Sequence, residues 1–261
     1  MARNVISAKL DIIFKKIFTE NSDMLHSFVA SMLDVPSESI EEIKITNTEL
    51  PPETYSGKFS RLDLSLRVDN RLVNVEIQVK NEPDYRDRTL LYWAKLYSSE
   101  LKSGEDYGEL KQTITINIIN FNMFSGDDYH TEVAAMIKET DEIFSDKFSM
   151  HFFELKKVGK KPNPNNSREL WLQFINADSE EEFEMIKQTE IPIMQKAVRI
   201  IYDISEDTKI REIARLREKA LHDEASALKN AKAEERVETI SRMKALGFTD
   251  EQINAIYSDR I

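Results

Sequence analysis

Asp63 and Glu76 are the pair of residues in this chain best spaced to do chemistry together. They lie in RLDLSLRVDNRLVNVEIQVK (61–80), where apolar and polar side chains alternate on both sides of Asp69-Asn70. Leu62, Leu64, Leu66 and Val68 are matched by Val73, Val75, Ile77 and Val79, so the run reads as a β-hairpin with one buried face. With Asp69 and Asn70 as a two-residue loop, Val68 faces Arg71, Leu66 faces Val73, Leu64 faces Val75, and Asp63 faces Glu76. A slip of one residue sets apolar against polar along the whole hairpin. A slip of two keeps the faces and leaves the carboxylates diagonal neighbours.

Like charges opposed at roughly 5 Å destabilise a hairpin, and a hard divalent cation between them removes the conflict. Mg²⁺ takes oxygen ligands and retains water that can act as a nucleophile. A half-solvated sheet face that merely carries acids fits the same spacing.

The order Asp63, then Glu76-Ile77-Gln78, resembles the signature of the PD-(D/E)XK nuclease superfamily, an Asp on one strand followed by Glu-x-Lys or Glu-x-Gln on the next. With SAKLDIIFKKIF (7–18) and the run from Val75 to Phe121, the chain is similar to the Rpn family of recombination-promoting nucleases, also described as transposases. The likeness spans essentially the whole chain and is strongest from Lys9 to Phe121. It implies an α/β fold with an αβββαβ core, a mixed sheet flanked by helices, and a helical C-terminal extension. It also implies a metal-dependent DNA endonuclease associated with recombination or mobile elements, using Mg²⁺, with Mn²⁺ as substitute.

Under that resemblance Asp63 and Glu76 bind the ion, joined by the backbone carbonyl of Ile77. Gln78 stands where many relatives have Lys; an amide can orient water but brings no positive charge. Lys80, on the same face two residues on, supplies that charge if it folds back, and is otherwise an exposed strand-end lysine. Asp11, Phe14 and Lys15 match the family's N-terminal pattern. Lys15 either approaches a phosphate or the hydrolytic centre, or is a solvated lysine on an amphipathic helix. The alternative is a catalytically weak nuclease-fold module that acts by binding DNA or protein.

Several elements must position these residues. Leu10, Ile13, Phe14 and Ile17 predict a helix over 7–18 with Ser7 as N-cap, and a second helix runs from Ser22 to Leu33. Ile40 to Leu50 reads as the first strand, with Glu49 aimed at the site or placed in a loop before Pro51-Pro52. After Pro83, Asp84 caps a helix from Tyr85 to about Ser103 that Gly104 closes, with Leu90, Ala94, Tyr97 and Leu101 facing the sheet. Arg86 and Arg88 in its first turn are candidates for phosphate contacts or for pairing with Glu82 and Asp84. Gln112 to Phe121 is a strand, and runs near Thr131–Ile137 and Phe148–Leu155 extend the sheet.

The organisation expected is a nuclease-like domain over 1–158 and a helical extension over 159–261, ending in a helix-turn-helix-like pair. From Ile191 to about Lys232 the chain reads as a long helix or helix pair, without a clean heptad, that offers a route to a homodimer.

Composition bounds the rest. There is no cysteine, which excludes disulfides and thiolate metal sites and points to a cytoplasmic protein. His26, His130, His151 and His222 lack zinc-site spacing. No run suits a membrane span and no signal peptide opens the chain. The net charge of −11 is unusual for a DNA partner, but residues up to Ser125 hold 15 Lys and Arg against 19 Asp and Glu, so that part is only mildly acidic.

Overall fold

The computed structural model describes residues 5–46, 49–50, 60–61, 63–101, 104 and 106–253. In chain order the elements are α1 (Asp11–Glu20), α2 (Ser22–Leu33), β1 (Ile43–Ile45), β2 (Glu49–Leu50), β3 (Ser60–Arg61), β4 (Leu64–Val68), β5 (Arg71–Gln78) and α3 (Tyr85–Ser99). They continue with β6 (Thr113–Ile119), β7 (His130–Met136), β8 (Ile143–Glu154), α4 (Ser167–Asn176), α5 (Glu180–Lys187), α6 (Pro192–Glu206) and α7 (Thr208–Ala245).

Six strands form one mixed sheet in the order β1-β4-β5-β6-β8-β7, and β2 pairs separately with β3. The β4–β5 hairpin has the expected register, Leu64 against Val75, Leu66 against Val73 and Val68 against Arg71. Asp69 adopts φ 50, a left-handed conformation that Asp tolerates in tight turns. Its carboxylate accepts hydrogen bonds from the Glu41 and Glu42 amides, which fastens the turn to the segment entering β1. Beyond the hairpin, α3 carries the chain over to β6, which lies parallel to β5, and β8 lies parallel to β6.

Parallel pairing in the centre requires cover on both faces, and this overturns the half-solvated hairpin face. Leu64, Leu66, Val73, Val75, Ile116 and Ile118 are buried on one side, as the alternation predicts. Ser65, Asn74, Thr115 and Asn117 are equally buried on the other, beneath α3. That lining also changes which side of α3 turns inward. Leu90 is 52% exposed and Ala94 is exposed, whereas Tyr85, Thr89 and Leu96 are buried. Tyr85 donates to Asn117 and Trp93 to the Thr113 carbonyl, so a polar sheet face selects a helix face with donors.

Two smaller differences have local causes. α1 begins at Asp11 because residues 7–10 form a separate turn and the Ser7 hydroxyl donates to Asp178. No side-chain cap bond from Asp84 starts α3, and the helix ends at Ser99, before Gly104.

Residues 159–206 pack with the N-terminal helices. A chain of aromatic contacts runs Phe14, Phe18, Phe28, Trp171, Phe174, Phe183, Tyr202, with neighbouring ring centroids 4.6–6.1 Å apart. The Trp171 indole also donates to Ser27, and Arg168 to the Ser31 carbonyl. The chain divides into two compact units, one running to Arg211 and the other from Glu212, which contains most of the 38-residue α7. Among the described residues no helix is long and apolar enough to cross a membrane.

Trp171 is fully buried at the centre of this aromatic chain. Trp171→Ala is expected to lower the unfolding free energy by about 3–5 kcal/mol, measured by denaturant unfolding. A loss below about 1 kcal/mol would mean that α4 is an appendage and not part of the core.

Candidate active site

Asp63 sits just before β4 and faces Glu76 on β5, so the hairpin register alone brings the two carboxylates together. The contacts around them are reciprocal. The Ile77 amide donates to Asp63 Oδ2 at 2.9 Å, and the Asp63 amide donates to Glu76 Oε1 at 3.2 Å. Asn74, two residues before Glu76 and on the same face, donates to the same oxygen at 3.1 Å. Each carboxylate is thereby held through one oxygen by donors of the hairpin itself.

Lys15 arrives from α1, its Nζ 3.2 Å from Asp63 Oδ1. The N-terminal helix therefore delivers a cation to the acids, and Lys15 is not a solvated surface lysine. Gln78 follows on the same strand face, but both ends of its amide are engaged. Its Nε2 donates to the Lys80 carbonyl at 2.9 Å, and its Oε1 accepts from Arg88 Nη2 at 3.1 Å. Arg88 also pairs with Glu82 and lies over the Tyr85 ring. Arg86, one helical step away, donates to the Met123 carbonyl and covers Phe124. The structure thus gathers Asp63, Glu76, Ile77, Lys15, Gln78 and Arg88, joins Lys80 through its backbone, and turns Arg86 elsewhere. The Glu49 side chain lies outside the described residues. Asn74 is the residue the sequence left unnamed; its place two positions before Glu76 on the same strand face was the available signal.

Burial dominates the electrostatics. It pushes the Glu76 carboxyl up to about 8, with the neighbouring Asp63 carboxylate adding to the effect. Burial raises Asp63 as well, against the opposing pull of the Ile77 amide and Lys15. Two acids held in this way are costly unless a cation joins them.

The donor set suits a hard divalent ion, with carboxylate oxygens of Asp63 and Glu76. The Ile77 amide faces Asp63, and the N–H and C=O of one strand residue leave on the same side, so its carbonyl would be the third oxygen of such a set. The Asn74 Oδ1 is buried with no hydrogen-bond partner among the described residues, an acceptor that ion-bound water can satisfy. Among the described residues no group of three His, Cys, Asp or Glu side chains is placed to hold a metal.

The sign of the Glu76 shift gives a test on metal-free protein. A carboxyl raised in the folded state stabilises fully below its unfolded value, and that stability is lost as pH rises towards about 8. Glu76→Gln keeps the acceptor oxygen without the charge. Its melting temperature in EDTA should match wild type near pH 4.5 and exceed it increasingly up to pH 8. A constant difference across that range would show that Glu76 does not titrate there.

Comparison with known proteins places residues 8–231 within the PD-(D/E)XK nuclease family of transposases. No curated protein and no solved structure matches the chain. The match covers the helical pair, the mixed sheet with its opposed acids, α3, and the helices packed behind them. On that match the chain belongs to the PD-(D/E)XK nuclease family transposases.

Proposed function

We propose that the protein is a metal-dependent DNA endonuclease of the Rpn type, acting in recombination or in the movement of genetic elements, with Mg²⁺ as its ion and Mn²⁺ as substitute. The observation that carries this reading is the buried Asp63–Glu76 pair, a repulsion that the hairpin register builds in and that a divalent cation relieves. Membership of a nuclease family of transposases supports DNA as the substrate.

Asp63, Glu76 and the Ile77 carbonyl would hold the ion. When bound, it supplies Lewis acidity and lowers the pKa of a coordinated water. The chain's own groups do the positioning: the Ile77 amide orients Asp63, and Asn74 orients Glu76. Lys15, already paired with Asp63, is placed to meet a phosphate oxygen. In the hydrolysis, a water oxygen bonds to phosphorus as the ester bond to the leaving sugar oxygen breaks, and that oxygen departs with a proton.

A second reading, a nuclease fold kept as a binding module, is favoured by the net charge of −11 and by the long charged α7. Nicking of supercoiled plasmid in Mg²⁺, Mn²⁺ or Ca²⁺ separates the two. The nuclease is expected to cut with Mg²⁺ or Mn²⁺ and to fall to background as Asp63→Ala or Glu76→Ala. Cleavage that persists equally in both variants identifies a contaminant and removes the enzymatic reading. An inert wild type favours the binding module.

A further inference from the structure

We propose that Arg88 carries the positive charge that the site lacks at Gln78, that Gln78 positions it, and that Glu82 holds it until a nucleic-acid phosphate takes the carboxylate's place. This rests on the nuclease reading of the same site.

The argument starts from the Gln78 amide. With Nε2 committed to the Lys80 carbonyl and Oε1 to Arg88 Nη2, its orientation is fixed by protein on both ends. An amide held in this way is a bracket for a guanidinium. An amide is too weak a base to take a proton from water, so holding the guanidinium is the role its contacts leave it.

Arg88 shares a cavity with one of the two acids. Together with Glu76, Asn74, Tyr85 and Asn117, Arg88 lines a cavity of about 10 Å³, the scale of one water. The Tyr85 ring lies 5.5 Å from its central carbon and limits its sideways freedom. Arg88 enters from the first turn of α3, so its anchor is rigid while its tip sits at the end of β5. A cation is thus supplied to the end of β5 from the helix.

Its second partner gives the arrangement a resting state. Glu82 pairs with Arg88 through a side chain that is 36% exposed, at the end of the pair nearer solvent. Guanidinium binds carboxylate and phosphate with the same fork geometry, so a phosphate oxygen can replace Glu82 without moving the arginine far. Lys80 contributes its carbonyl to the bracket, and Arg86 is tied to the Met123 carbonyl.

The test measures binding and cutting separately. Wild type, Arg88→Ala, Arg88→Lys and Glu82→Gln are titrated with a short labelled DNA duplex in EDTA over a salt series, then assayed for cleavage in Mg²⁺. Arg88→Ala should reduce the slope of log affinity against log salt by about one and depress cleavage. Arg88→Lys should keep the slope. Glu82→Gln should bind more tightly than wild type with the slope retained.

Three results overturn the proposal: an unchanged slope in Arg88→Ala, absence of salt-dependent binding by wild type, or loss of binding in Glu82→Gln to match Arg88→Ala. The last would mean that the ion pair only holds α3 in place. Cleavage by Asp63→Ala reports on the nuclease reading independently, because the salt slope judges Arg88 whether or not any strand is cut.

Discussion

Two carboxylates forced together in a buried place are the constraint around which this molecule is arranged. Asp63 and Glu76 face each other because the Asp69-Asn70 turn sets the register, and no small slip separates them while keeping the apolar face inside. Every neighbouring device bears on that conflict. Backbone amides from Ile77 and Asp63 and the Asn74 side chain each neutralise part of one oxygen, and Lys15 brings a full charge from another element. The acids stay raised because burial outweighs these contacts. A site held in that condition has free energy to release on taking up a cation.

The same constraint explains the unusual interior beneath α3. The buried acids need polar side chains around them on the strands that carry them, and the parallel crossover to β6 then places a helix over these. The fold answers with a polar layer, Ser65, Asn74, Thr115 and Asn117, and with Tyr85, Thr89 and Trp93 on the helix side. Hydrogen bonds do there what hydrocarbon packing does on the opposite face. The cost is an incompletely satisfied Asn74.

The sequence disclosed the hairpin, its register and the facing acids, because period-two alternation is local and unforgiving of error. It also disclosed α2, the place of β6 and the presence of two further strands. It did not disclose that β6 and β8 run parallel, a long-range choice that buries the second hairpin face and rotates α3 away from Leu90. Nor did it show that Ser7 is drawn off by Asp178, 171 residues away, so that α1 starts later. The sequence offered Arg88 for phosphate contacts or for pairing with Glu82 and Asp84, and did not show its contact with Gln78, which the turn of chain between strand and helix brings about. Residues 159–206 read as an extension on composition, and only the aromatic contacts place them behind α1 and α2.

The aromatic chain through Trp171 also dictates an order of events during synthesis. Lys9, near the foot of the helix that carries Lys15, is anchored by Asn176 and Asp178, 167 and 169 residues downstream. The ribosome therefore releases both acids and their strand partners long before the scaffold that seats α1 exists. The strands that carry the acids and the contacts that hold the foot of α1 are thus supplied by segments made at different times.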